Sequence, residues 1–318
     1  MKRNAIVGAV VWFGLWLSTL SGIVNLSWIA LLFTLAPLVI VPLGLHLTDR
    51  IEGREANSLP ERWAKAIHVL AAPLSVISLL VAPGLLAGAF ASAWIAFCAL
   101  LAGSVPLRLL RGGFARLDAL FPAVAFTYSL VGATWLVASR LGLNPMGFQE
   151  PIVLLTAVHF HYAGFAAPLL ARPAGRGLGH IGKSTLAIAL YRAVAAGILL
   201  GPGVLAMGFV VGPRVKLAAA LILALSEVGL ALFFVRALVR VRPFAAQLLL
   251  TLAAASVAFS MALAAVWAIG EYPLQHFINL DQMERFHGTA NAFCFTLCGM
   301  LGWLVAGETD EPSHGGQS

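Results

Sequence analysis

Residues 151–171 read PIVLLTAVHFHYAGFAAPLLA, an apolar run that contains no Asp, Glu, Lys or Arg. A helix rises about 1.5 Å per residue, so a run of about 20 apolar residues is long enough to cross the hydrocarbon core of a bilayer. The run therefore predicts a transmembrane helix, although it carries two ionisable rings, His159 and His161. Comparable runs recur along almost the whole chain.

The composition agrees with a membrane protein. Of the 318 residues, 60% are hydrophobic and only 10% are charged, whereas about 25% of the residues in a soluble globular domain are charged. We expect an all-α, polytopic transmembrane bundle in one membrane-embedded domain, residues 1–306, followed by a polar and disordered cytoplasmic tail, residues 307–318. About ten spanning helices are predicted, over residues 5–24, 27–46, 65–82, 85–105, 118–139, 151–171, 184–211, 217–238, 245–269 and 280–306.

The basic residues indicate the orientation of these helices. With the N-terminus in the cytoplasm, fifteen Lys and Arg residues fall on the inner side and four on the outer side, and the remaining one, Arg192, lies in the interior of the seventh span. Such an excess of positive charge in cytoplasmic loops favours cytoplasmic N- and C-termini. It also accounts for the net charge of +7 without a nucleic-acid partner, which we do not predict.

One literal motif is rejected. Residues 177–184 read GLGHIGKS, which matches the phosphate-binding pattern G-x-x-x-x-G-K-[ST]. That loop requires a preceding buried strand and a soluble α/β domain, and here it connects two membrane spans. We expect a cytoplasmic loop, and neither ATP nor another nucleotide is predicted to bind.

Burying an ionisable side chain at the centre of a bilayer costs about 2.5 to 3.5 kcal/mol even on the mildest scale, so each such residue is a candidate functional residue. In the sixth span, His159 and His161 are ~200° apart on an ideal α-helix and should point to nearly opposite sides. Thr156, His159 and Tyr162 should share one face. Arg192 and Glu227 are the candidates in the seventh and eighth spans.

The tenth span contributes the second cluster, in LDQMERFHGTANAF, residues 280–293. On an α-helix, one inward stripe would contain Asp281, Glu284, His287, Gly288 and Asn291, because these residues are three, four or seven positions apart. The opposite face would carry Met283, Phe286 and Phe293. Depth along the helices indicates that the two clusters meet in the outer half of the bundle.

We therefore predict a single site. Its candidate catalytic residues are His159, His161, Asp281, Glu284, His287 and Asn291. Its candidate substrate-binding residues are Tyr162, Glu227 and Arg192, with Arg192 deeper and able to pair with Glu227.

Structural roles could also account for several of these residues. Asn279 and Gln282 form a capping-box pattern, which would place Asp281 and Glu284 in a first helical turn where negative charge is favoured. His287 with Asn291 could join helices by hydrogen bonds, and each membrane histidine could be a packing residue. Pro202, within Gly201-Pro202-Gly203, should kink or end the seventh helix.

Two segments, HFHYAGF (residues 159–165) and MERFHGTANAF (residues 283–293), resemble the YndJ-like family of bacterial membrane proteins. The resemblance implies a multi-pass protein of the bacterial inner membrane whose site is built from these two segments, and it implies no particular reaction. Cys294 stands where the family pattern has a glycine, which makes a close helix contact at that level less expected.

Three functions are compatible with these features. A membrane-embedded enzyme could use buried imidazole and carboxyl groups for acid–base chemistry on a lipophilic substrate, such as an isoprenoid or another lipid. In a metal-assisted version, histidines and carboxylates would bind a divalent metal such as zinc or iron, although the bundle holds too few histidines for the membrane di-iron class. The alternatives are a proton-coupled transporter of a small solute and a non-catalytic accessory protein.

Overall fold

The computed structural model describes residues 1–112, 117–176, 185–271 and 277–308, and within these ranges it contains helices and no strand. Ten of the described helices are long and apolar enough to cross a membrane. They confirm the predicted spans to within a few residues and are numbered here α1 (Lys2–Leu20), α2 (Trp28–Glu52), α3 (Leu59–Leu80), α4 (Leu85–Arg111), α5 (Leu117–Leu141), α6 (Ile152–Gly175), α7 (Thr185–Val211), α8 (Pro213–Ala237), α9 (Phe244–Glu271) and α10 (Leu280–Gly307). The rejected loop at 177–184 and the tail from residue 309 lie outside the described residues.

The bundle is organised around α2 and α6. The sequence of α2 is apolar on all sides, which is the pattern of a helix surrounded by protein, and α2 is buried along nearly its whole length. Helix α6 is the next most buried and packs against α2 and α5. Helix α6, which carries His159 and His161, therefore lies in the middle of the bundle rather than at its lipid-facing surface.

The sequence predicts that Pro202 either kinks or ends the seventh helix. In the structure, helix α7 does not end there. It is continuous from Thr185 to Val211, and a side chain from α5 repairs the hydrogen bonding beside the proline. The Tyr128 hydroxyl donates to the Leu199 carbonyl (3.0 Å) and accepts from the Gly203 amide (3.1 Å). Tyr128 thus bridges the two backbone groups that an uninterrupted helix would join directly, which is a recognised way to open a helix without breaking it.

Two of the site-forming helices contain wide, π-helical turns. In α6 these cover Phe160–Ala166, and in α10 they cover Met283–Gly288 and Ala290–Leu297. Such turns are rare and are found frequently at functional sites. They also change which side chains share a face, because the 100° step of an α-helix no longer applies within them.

Candidate functional site

A cavity of about 620 Å³, here called the outer cavity, opens at the end of the bundle that the basic residues predict to be extracytoplasmic. It lies between α6, α7, α8, α9 and α10, and most of its wall is apolar. Its polar lining includes Thr156, His159, Tyr162, Glu227, Glu284, His287, Asn291 and Thr296. The structure thus brings together most of the residues singled out from the sequence.

The two histidines of α6 have different surroundings. His159 lines the cavity, and its Nε2 atom is buried without a hydrogen-bond partner among the described residues. His161 is fully buried on the other side of the helix, where its Nε2 accepts from Trp94 Nε1 (2.9 Å) and its Nδ1 donates to the Ala157 carbonyl (2.7 Å). The predicted separation of the two rings is confirmed, and the structure places only His159 at the site.

A glycine makes the position of His161 possible. A Cβ atom on Gly132 of α5 would lie 2.6 Å from His161 Nδ1, which is closer than two such atoms can approach. Gly132 therefore leaves the space in which the imidazole fits against α5.

His287 is held in place by two hydrogen bonds. Its Nδ1 donates to the Ser260 carbonyl of α9 (2.9 Å), and its Nε2 accepts from Asn291 Nδ2 (3.1 Å). Both ring nitrogens are therefore engaged, whereas His159 Nε2 has no hydrogen-bond partner among the described residues. His287 thus joins α10 to α9 and is hydrogen-bonded to Asn291, whereas His159 is the imidazole with an open nitrogen.

Glu227 and Thr296 lie deepest in the cavity by their position along α8 and α10. Both are almost completely buried, and both Glu227 Oε2 and Thr296 Oγ1 lack a hydrogen-bond partner among the described residues. Nearly all buried polar groups in proteins are hydrogen-bonded, so an unpaired one requires an explanation. Together with His159 Nε2, three such atoms line one cavity.

Tyr162 lines the cavity as predicted, but its hydroxyl is already occupied. It donates to the Leu32 carbonyl of α2 (2.8 Å). Tyr162 therefore presents its ring to the cavity and fixes α6 against α2.

Besides His161, the structure places two further predicted residues outside the cavity, Asp281 and Arg192. Asp281 is exposed and forms an ion pair with Arg285 of the next turn (2.9 Å), in a first turn closed by the predicted Asn279–Gln282 capping box. Arg192 is exposed on α7 and does not pair with the buried Glu227. Its long side chain starts two turns from the helix end, which is within reach of the membrane interface for an arginine.

The predicted orientation of Met283 is wrong. We expected Met283 on the face opposite Glu284, yet both residues line the cavity. The wide turns from Met283 onward lower the angle between successive side chains, so neighbours that an α-helix would separate reach the same wall.

One polar pair at the rim of the cavity was missed by the sequence analysis. Lys216 of α8 forms an ion pair with Glu271 of α9 (2.7 Å), and its ammonium lies 4.8 Å from the centre of the Phe209 ring. Both charged residues line the cavity. Their positions just inside two helix ends were the available signal, but charges at such positions are usually interpreted as topology determinants.

An ionic network at the opposite, inner end was also missed. Arg108 contacts Glu61 and Glu52 (2.7 Å to the latter), and Arg172 contacts Glu52 (2.6 Å) and Asp118 (3.2 Å). Both arginines are among the fifteen inner basic residues from which the sequence predicts the orientation of the helices. Their proximity in space to acidic residues at the ends of α2, α3 and α5 follows only from the packing of the helices.

The metal-assisted hypothesis needs a cluster of ligands. Within the described ranges, the structure contains no group of three or more His, Cys, Asp or Glu side chains arranged to hold a metal ion.

Comparison with known proteins adds the family. Residues 31–295 match the model of the YndJ-like protein family. The chain is also similar to the uncharacterized membrane protein YndJ of Bacillus subtilis (strain 168), with 27% identity over 308 residues, which cover 96% of this chain and 53% of that protein. The chain thus spans about half the length of the curated relative that it matches. No solved structure matches the chain.

Proposed function

Because this chain belongs to the YndJ-like family of bacterial membrane proteins, in which the curated relative is itself uncharacterized, we propose its function from the chemistry of the outer cavity. We propose a membrane-embedded enzyme that performs acid–base chemistry on a lipophilic substrate. One observation supports the proposal: His159 Nε2, Glu227 Oε2 and Thr296 Oγ1 are buried, have no hydrogen-bond partner among the described residues, and belong to residues that line one mainly apolar cavity. An isoprenoid or another lipid with a polar group would fit such a wall and supply the missing hydrogen bonds.

The roles of the residues follow from their partners. His159 and Glu227 exchange a proton with the substrate, since imidazole and carboxyl groups are the usual proton-transfer groups and neither is committed to a protein partner at the atoms named above. Thr296 hydrogen-bonds the polar group of the substrate. His287, fixed by Ser260 and Asn291, orients the substrate, and Glu284 lies nearer the cavity opening.

The test is conversion of a bacterial lipid extract by the purified protein in liposomes, followed by mass spectrometry. His159→Gln and Glu227→Gln are each expected to lower the rate of conversion about a hundredfold or more, the usual contribution of a positioned proton-transfer group. Both variants should keep the thermal midpoint of the unmodified protein, because neither replaced atom has a described hydrogen bond to lose.

Glu55→Gln is the matched control. It makes the same change of carboxyl to amide at an exposed residue between α2 and α3, and it should convert lipid at the unmodified rate. Conversion that persists in both cavity variants would refute the enzyme proposal.

A second candidate function, transport, is favoured by one specific feature. A second cavity lies at the inner end of the bundle, and a row of aromatic rings separates the two. Phe295 lines the outer cavity, Trp303 lines the inner one, and the fully buried Phe234 contacts both, with ring centres 6.3 Å and 5.6 Å away. A path for a small solute or for protons would have to pass Phe234.

The transport function predicts a measurable proton leak across the membrane. In liposomes that contain a pH-sensitive dye, Phe234→Ala should speed the decay of an imposed pH gradient severalfold, because it removes the ring between the two cavities. Adding Glu227→Gln should slow that decay again if Glu227 carries protons along the path.

Phe165→Ala is the control for this experiment, since Phe165 is equally buried but packs against Phe126, away from both cavities. A decay rate that is the same for Phe234→Ala and Phe165→Ala would count against transport and leave the enzyme proposal standing.

A further inference from the structure

The second cavity, here called the inner cavity, is unusually basic. It has a volume of about 450 Å³ and lies between the inner ends of α2, α6, α8 and α10. Its lining includes Arg50, Arg176, Arg236, Arg240 and Arg242. None of the described residues that line it is acidic. Guanidinium groups gathered around one cavity repel one another, and an anion among them would relieve that repulsion.

Two hydrogen-bond donors in this cavity are unsatisfied. Arg240 Nη2 and Trp303 Nε1 are both buried, and neither has a partner among the described residues. An indole N–H and a guanidinium N–H can only donate. The missing partner must therefore be an acceptor, in contrast to the mixed donors and acceptors of the outer cavity.

Two of the other arginines are held at the rim by backbone carbonyls. Arg50 donates to the Gly307 carbonyl (3.2 Å) and Arg176 to the Ile51 carbonyl (3.3 Å). Arg176 also lies 4.0 Å from Asp118, outside the lining. These contacts orient the two side chains at the rim.

The chemistry of the lining selects the class of anion. Guanidinium groups bind phosphate through two parallel hydrogen bonds and are the usual residues for this purpose. Apolar side chains, among them Leu47, Phe233 and Leu304, form the rest of the wall, and basic pockets between membrane helices on the cytoplasmic side bind the headgroups of anionic lipids.

We propose that the inner cavity is a binding site for a phosphate-bearing anion, with Arg240 and Trp303 as its innermost donors. The anion is either the headgroup of an anionic phospholipid or a soluble phosphate compound. This proposal rests on the inner cavity alone and is independent of the function proposed for the outer one.

The experiment uses the full chain in detergent and measures its thermal midpoint during titration with three probes: phosphatidylglycerol, phosphatidylcholine and inorganic pyrophosphate. We expect the midpoint to rise with phosphatidylglycerol and not with phosphatidylcholine, which has no net charge. Arg240→Gln should weaken the apparent affinity at least tenfold. Arg240→Lys, which keeps the charge but loses the planar fork, should weaken it less.

Arg62→Gln is the matched control, because Arg62 is exposed at the same end of the bundle and does not line the cavity. If Arg240→Gln does not fold, Arg242→Gln, which removes an exposed arginine of the same lining, replaces it.

A rise with phosphatidylglycerol alone identifies a lipid headgroup, whereas a rise with pyrophosphate as well identifies a soluble phosphate compound as a ligand. No rise with any probe overturns the proposal. So does an affinity that falls as much in Arg62→Gln as in the variants of the cavity arginines.

Discussion

Arg108→Ala is expected to lower the free energy of unfolding by about 3 to 5 kcal/mol, the usual cost of removing one partner of a buried ion pair. Arg108 is the described partner of Glu61, a carboxylate that is only 1% exposed. The same guanidinium reaches Glu52 (2.7 Å) and lies 5.0 Å from the centre of the Phe126 ring. Its loss would leave Glu61 charged and enclosed while α2, α3 and α4 lose their common cation.

The measurement is unfolding of the purified protein by titration from a mild detergent into sodium dodecyl sulfate. Arg111→Ala is the control: Arg111 lies one turn further along α4, is exposed and makes a single 3.3 Å hydrogen bond to the Ala56 carbonyl. It should change stability by no more than about 1 kcal/mol.

A double variant separates charge from packing. Arg108→Gln combined with Glu61→Gln removes both charges and should recover much of the stability that Arg108→Ala loses. If Arg108→Ala were no more harmful than Arg111→Ala, the network would be a surface feature of no structural weight.

The ion pairs of Arg108 show which features of the structure the sequence predicts and which it does not. Ten spans could be located because each needs only a local run of apolar residues. The orientation could be predicted in the same way, because it needs only a count of the Lys and Arg residues in the loops on each side. Whether Arg108 meets Glu61, 47 positions away, depends on which helices become neighbours. Neither hydropathy nor charge counts contain that information.

The same distinction applies within the site. The opposite directions of His159 and His161 follow from their spacing and were predicted. The position of Met283 was not, because the wide turns of α10 have no recognisable signal in the residues that form them. Thr296 was missed for a different reason. A single threonine in a membrane helix costs little to bury, so its significance appears only when its hydroxyl is seen to lack a described partner in the cavity that Glu227 also lines.

His161→Ala is expected to lower the free energy of unfolding by about 2 to 4 kcal/mol, whereas His159→Ala, two residues away, should change it by less than about 1 kcal/mol. Removing the His161 ring leaves the N–H of the fully buried Trp94 without its acceptor and removes the hydrogen bond from the ring to the Ala157 carbonyl. It also opens a void beside Phe33, whose ring centre is 5.3 Å away. The described structure gives His159 Nε2 no hydrogen bond to lose.

His161→Gln tests the cause, since an amide oxygen can still accept from Trp94 and should restore part of the stability lost in His161→Ala. Parallel unfolding titrations of these three variants and the unmodified protein provide the comparison. Equal destabilisation by His161→Ala and His159→Ala would mean that both rings pack the bundle alike. In that case the unpaired nitrogen of His159 would no longer mark a site, and the argument for proton transfer in the outer cavity would lose its main residue.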